Sequence, residues 1–313
     1  MRLFISIASY CDPVLPFTLE RAVATASAPG SLHFGVVDQS PTARPRVKLR
    51  GAARLSQVHL DIRDARGPCW ARAIAMSLYD GEDWFLQLDS HMDFDPGWDE
   101  RLIAQATALG APRRGLVLTS YPNAFCFVDG APVRRPTTAG VLAQVVKAGA
   151  VFEADHPVLP FEAHPVETDA ALPAFHLGAG CLFAPGRITQ HFPYDPWLYF
   201  HGEEQALTLR LYTHGWDLFH MPALPIHHLY NDPAFAAPAR PLHWDAAQEA
   251  GRELTWWERE QRSRARLASL VAGEDLGVYA LGTQRSLQDF AEFSGIDYTA
   301  RTLAAAAYVP RRG

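Results

Sequence analysis

Paired cysteines are missing from this sequence. Its 313 residues hold four, Cys11, Cys69, Cys126 and Cys181, with no CxxC pair and no close spacing. That excludes a zinc ribbon and a disulfide framework, and a reducing compartment is the simpler expectation. Long apolar runs are missing too: none nears the ~20 residues that cross a bilayer. The opening MRLFISIASY breaks at Ser6 and Ser9, too soon for the apolar part of a signal peptide. A cytoplasmic protein with no membrane span is therefore expected. An excess of basic charge is also absent. Twenty-eight Lys and Arg stand against 34 Asp and Glu, for a formal charge of −6. This argues against nucleic acid as a partner, although a small basic patch for a phosphate remains open. Internal repeats are absent.

What is present is an ordinary globular composition, 48% apolar and 20% charged, which needs no covalent staple to bury a core. Apolar and turn residues alternate in a regular order. Residues 3–8 read as a buried strand, 17–28 as a helix ended by Pro29-Gly30, and 33–37 and 58–62 as strands. Residues 68–79 read as a helix opened by Pro68, and 83–88 as a strand ending at Asp89. Further on, 98–109 and 203–215 read as helices, and 116–120, 177–184, 218–220 and 225–230 as strands. Residues 246–271 read as a long helix. The stretch 130–175, rich in Pro and Ala, reads as a β excursion with a loop. This alternation predicts an α/β fold with a mostly parallel sheet between helices, whose ligands sit at the carboxyl ends of strands. The division expected is a main domain over 1–245 and a helix and tail over 246–313.

Four short constellations can carry chemistry. Asp89-Ser90-His91 follows an apolar strand, and a carboxylate and an imidazole two apart can share a divalent cation. The mixed O and N set suits Mn²⁺ better than Mg²⁺. On spacing alone, a capped turn with His91 at the surface fits as well. Gly202-Glu203-Glu204 opens a helix, where the carboxylates either face a ligand or only offset the helix dipole. In the pair His227-His228, strand alternation lets only one ring face a given site. Gly67-Pro68 begins a helix with Arg72 one turn in, an anion site or a surface arginine.

The order of these motifs, more than any one of them, is distinctive. The stretches IASYCDP, GPCWAR, FLQLDSHMDF, LTSYP, PYDPWLYFHGEEQALTLRLYTHGWD, HHLY and LGTQRSLQDFAEFSGID span most of the chain. They resemble the GlcNAc-transferases that modify hydroxyproline in a cytoplasmic ubiquitin-ligase adaptor, a family of GT-A fold. The polypeptide GalNAc-transferases are similar at greater distance. The resemblance implies a Rossmann-like mixed sheet and a retaining transfer of GlcNAc from UDP-GlcNAc to a hydroxyl acceptor, such as one on a protein, with a divalent metal. It implies that Asp89, His91 and His228 are the metal ligands, with His227 the fallback. By the same resemblance Ser9 and Tyr10 form the uridine pocket, Arg72 and Ser90 lie on the donor side, and Gly178 and Gly180 let the backbone approach the sugar. Glu203 reads the donor hydroxyls, acting with Asp89 in catalysis, and a homodimer is plausible. Where the family often has an arginine after the His-x-Tyr segment, this chain has Asn231-Asp232-Pro233, so no basic clamp is expected there.

Other classes fit less well. A nucleotidyltransferase needs a Gly-rich basic loop after the first strand, and Ser9-Tyr10-Cys11-Asp12-Pro13 has no basic residue. A transferase for another UDP-sugar and a non-catalytic sugar-binding relative are separated from the first reading by metal-dependent release of UDP.

Overall fold

The computed structural model describes residues 1–313 apart from 45–46, 112, 136–139, 232–237, 239, 246, 248, 250–251 and 313. The first half runs β1 (Leu3–Tyr10), α1 (Leu15–Thr25), β2 (Leu32–Ser40), β3 (Arg54–Asp61), α2 (Pro68–Met76), β4 (Trp84–Leu88), β5 (Met92–Phe94), α3 (Trp98–Ala108) and β6 (Leu116–Thr119). Then come β7 (Asn123–Val128), β8 (Ala131–Arg134), β9 (Val141–Val146), β10 (Phe161–Val166), β11 (Leu172–Pro173), β12 (Cys181–Pro185), α4 (Ile188–His191) and α5 (Glu203–Thr213). The chain closes with β13 (Asp217–His220), β14 (Ile226–His228), α6 (Trp256–Val271), α7 (Leu287–Ser294), β15 (Ile296–Asp297) and β16 (Thr302–Leu303).

An 8-stranded sheet in the order β11-β13-β6-β12-β4-β1-β2-β3 forms the centre. Strands β4, β1, β2 and β3 are mutually parallel, and β12 runs antiparallel between β4 and β6. The alternation of β1 explains why helices lie on both faces. Leu3, Ile5 and Ile7 join one core with Leu19 of α1 and Trp98 and Leu102 of α3. Phe4 joins a second core with Cys69 and Met76 of α2, Leu207 and Leu211 of α5, and Leu267 and Leu270 of α6. A smaller sheet, β5-β14-β7-β8, lies beside the end of β4.

The excursion over 130–175 contains the β9–β10 hairpin. Its residues Val145, Val146 and Leu159 share a third core with Leu209 of α5 and with Phe290, Ile296 and Tyr298 from the tail. Gln205 ties these parts together. Its side chain takes the Leu159 amide (3.0 Å) and the Tyr298 hydroxyl (2.9 Å) and donates to the Leu159 carbonyl (3.1 Å).

Several boundaries differ from expectation, and one strand is unforeseen. Helix α1 starts at Leu15, since Pro16 fits its first turn without needing an N–H. Residues 92–94, adjacent to the Asp89 turn, form a strand that the sequence pattern hides. The long helix starts at Trp256 because Thr255 caps it: its hydroxyl takes the Glu258 amide while Glu258 reaches back to the Thr255 amide. Ala246, Gln248, Ala250 and Gly251, part of the expected helix, lie outside the described residues, as do Asp232 and Pro233. Among the described residues no helix is long and apolar enough to cross a membrane, and all four cysteines are free.

Candidate active site

The parallel strands β1 and β4 end at the same edge, which brings Ser9-Tyr10 and Asp89 together. After β4 the chain turns through Asp89-Ser90-His91 into β5. Strand β14 pairs antiparallel with β5, placing His228 opposite Met92, and the Leu229 amide donates to the His91 carbonyl (3.1 Å). That register sets the two imidazoles side by side, 4.7 Å between ring centres. One ligand atom from each of Asp89, His91 and His228 lies within 4.8 Å of the others. His228 Nε2 is 3.3 Å from Asp89 Oδ2. His227 turns the other way, as alternation requires, and its Nε2 meets Asp95 at 3.0 Å.

Asp12 orients this cluster. Its Oδ2 accepts from His91 Nδ1 (2.6 Å) and from the Ser90 hydroxyl (2.6 Å), while its Oδ1 takes the Val14 amide (2.8 Å). A proton held on Nδ1 by a carboxylate leaves His91 Nε2 with a free lone pair, the arrangement that serves a metal ligand. Ser90, expected on the donor side, spends its hydroxyl on Asp12. Burial pushes the Asp12 carboxyl up, but His91, Ser90 and the Val14 amide outweigh it and hold it below its ordinary range. Burial opposes ionisation of Asp89 as well, and His228, Arg72 and His91 overcome it, so Asp89 stays a carboxylate. Burial shifts His228 down against the opposing pull of Asp89, and its Nδ1 is buried with no hydrogen-bond partner among the described residues.

Arg72 sits behind Asp89. Gly67 adopts φ 96°, and a Cβ there would lie 2.5 Å from the Tyr199 ring, so only glycine lets α2 begin this close to the 194–200 segment. From the first turns of α2, the buried Arg72 reaches Asp89 Oδ1 (3.1 Å) and Glu203 Oε1 (2.6 Å). The other oxygen of Glu203 accepts from the Tyr194 hydroxyl (2.9 Å) and from the Cys69 thiol (3.0 Å). Glu203 is only 4% exposed. Glu204 stands apart: its Oε1 takes the Ala179 amide (2.7 Å), and its side chain is 35% exposed. Both carboxylates border a 370 Å³ cavity with Arg72, Asp89, Tyr121, Phe161 and Gly180. A Cβ on Gly180 would lie 2.6 Å from Asp89 Oδ2. Gly178 likewise lies against Gln144.

On the β1 side, Ser9 is fully buried and its hydroxyl has no partner among the described residues. The Tyr10 hydroxyl is held by Arg252 at 2.7 Å. Asp38, buried at the end of β2, has one oxygen in the same unpartnered state. Of the aromatics at 194–199, Tyr194 and Tyr199 are buried and Trp197 is exposed. Sequence reasoning missed Asp12, Asp38 and Arg252; Tyr194, which the sequence offers with Trp197 and Tyr199 as a stacking platform for an acceptor, is instead buried against Glu203. Asp12 stood in the IASYCDP motif and was open to discovery. Arg252 comes from a segment distant in sequence, where no local pattern points to β1.

The mixed sheet with helices on both faces, and the solved structure it resembles, give the molecule the GT-A fold, with the carboxylate–imidazole cluster at the carboxyl edge of its parallel strands. Residues 40–300 match the family described as glycosyltransferase (GlcNAc), and the chain belongs to that family. Among solved structures it is similar to GalNAc-T7 with UDP, GalNAc and Mn²⁺, at 12% identity and a TM-score of 0.56, covering 93% of this chain and 54% of that one. The chain thus spans about half the length of GalNAc-T7. Staphylococcus aureus TarS 1–349 in complex with UDP-GlcNAc matches at 14% identity and a TM-score of 0.44, over 88% of this chain and 74% of that one. No curated protein matches.

Proposed function

We propose that the protein is a metal-dependent, retaining transferase that moves GlcNAc from UDP-GlcNAc to a hydroxyl acceptor, such as one on a protein. The observation that carries this reading is the convergence of Asp89, His91 and His228 at the end of β4, within 4.8 Å of one another. The family match supports the sugar, and the GalNAc-T7 complex with UDP, GalNAc and Mn²⁺ supports a UDP donor and that metal.

The residues fit such an ion. A carboxylate and two imidazoles, one with its proton fixed on the far nitrogen by Asp12, make a mixed O and N set that suits Mn²⁺. The ion, held by Asp89, His91 and His228, would neutralise the diphosphate charge that grows as UDP departs. Asp12 holds His91 in the ligating orientation. Arg72 stays charged between Asp89 and Glu203 and braces the Asp89 carboxylate from behind. Ser9 and Tyr10 border the uridine, although the Ser9 hydroxyl is fully buried and meets it only if the end of β1 shifts on binding. The Gly178–Gly180 turn lets backbone come close to the sugar. The departing phosphate takes the acceptor's proton, so no side chain serves as general base. The four free cysteines support a reducing compartment, in which we place the protein.

The test is UDP release from a panel of UDP-sugars, with Mn²⁺ and with EDTA. Mn²⁺-dependent hydrolysis that favours UDP-GlcNAc over UDP-Glc and UDP-Gal is the expected result. A chain that binds no UDP in the presence of Mn²⁺ does not have this donor site.

A further inference from the structure

The two adjacent glutamates at the start of α5 differ in what they have left to offer. Glu203, though it borders the cavity, is consumed: Arg72 takes one oxygen, and Tyr194 and Cys69 take the other. Displacing any of these donors would strand a buried polar group, which costs more than a single hydrogen bond returns. Glu204 has a fixed base and a free front. The Ala179 amide pins Oε1, and His176 Nε2 stands 3.4 Å from Oε2. Its side chain, 35% exposed, lines the 370 Å³ cavity beside Asp89 and Gly180. Its position in the first turn of α5 favours negative charge.

We propose that Glu204 is the carboxylate that reads the hydroxyls of the donor sugar, and that Glu203 is a positioning residue that holds Arg72 against Asp89. This rests on the UDP-sugar transferase reading and deepens it, moving sugar recognition one residue along the helix. A carboxylate can accept from two hydroxyls at once, so it senses the orientation of vicinal hydroxyls. The Ala179 amide fixes the direction in which it does so, with His176 Nε2 3.4 Å from the other oxygen. Burial raises the Glu204 pKa, but His176, the Ala179 amide and Arg72 outweigh that and keep the group ionised and acceptor-only.

The experiment measures two affinities on the full chain with Mn²⁺, for UDP and for UDP-GlcNAc, in Glu204→Gln and Glu203→Gln. For Glu204→Gln, UDP affinity should stay within about two-fold while the advantage of UDP-GlcNAc over UDP falls ten- to hundred-fold, the loss expected for hydrogen bonds to a charged group. For Glu203→Gln that advantage should persist while turnover falls. An unchanged ratio in Glu204→Gln, or a ratio that drops only in Glu203→Gln, overturns the assignment. Glu204→Asp keeps the charge but retracts it, so an intermediate ratio is expected, and this variant decides the matter if the glutamine form does not fold. Failure of the parent chain to bind UDP with Mn²⁺ would instead sink the donor-site reading, and the assignment with it.

Discussion

Gly180→Ala probes the metal cluster without touching a ligand. Gly180 lies outside the left-handed region, so alanine brings no backbone strain. Its new methyl would stand 2.6 Å from Asp89 Oδ2, where ordinary contact begins at 3.4 Å. The carboxylate must retreat by about 0.8 Å to restore normal contact. It has nowhere neutral to go, because Oδ1 is tied to Arg72 and Oδ2 faces His228. A displacement of this size at a reacting group costs roughly 10²-fold in rate, and a disturbed ligand weakens a metal by about 10- to 100-fold. The assay is initial UDP release from UDP-GlcNAc across a Mn²⁺ titration. Gly180→Ala should show both the lower rate and the higher half-saturating Mn²⁺, with a melting temperature near that of the parent. Gly30→Ala, whose methyl meets only Ala52 at 3.4 Å, is the control expected to keep full rate. A Gly180→Ala enzyme with parental rate and parental Mn²⁺ dependence would refute the placement of Asp89 in the site.

Asp89→Asn and His91→Ala should each abolish turnover while the circular dichroism spectrum stays native; activity retained in either removes that residue from the ligand set. Asp12→Asn should leave UDP release possible but raise the half-saturating Mn²⁺ by about 10- to 100-fold, since His91 loses the partner that sets its tautomer; an unmoved titration would make Asp12 a mere turn residue. Leu267→Ala, fully buried between α6 and α5, should lower unfolding free energy by about 2–5 kcal/mol in urea titrations; a loss under 1 kcal/mol would mean that α6 is not part of the core.

The fold was legible where apolar runs alternate with turn residues. Strands β1, β2 and β4 announce themselves as apolar runs, and Pro68 and Gly215 mark helix ends. Strand β5 was not legible, since Met92-Asp93-Phe94 is too short to show a period and forms only by pairing with β14. The antiparallel insertion of β12 between β4 and β6 is a matter of long-range pairing and left no local mark. In the site, Asp89 and His91 stood together in one triplet, but their third partner lies 137 positions after His91 and came only from the order of motifs. Spacing could not say which of Glu203 and Glu204 faces inward, because both begin a helix. That is decided by Arg72, Cys69 and Tyr194, which reach Glu203 from two other segments.

The Gln205 link ties the active site to the order in which the chain is made. Gln205 follows directly on the two glutamates, and its side chain holds Leu159 of the cavity wall and Tyr298 of the tail. A ribosome that has just finished α5 has already made every proposed metal ligand except His228, yet the wall opposite still lacks Phe290, Ile296 and Tyr298 to pack against. The proposed donor cavity therefore closes only after residues 290–298 have emerged. A nascent chain has the proposed ligands before it has the pocket, and a polypeptide stopped short of residue 290 should bind UDP-GlcNAc no better than UDP.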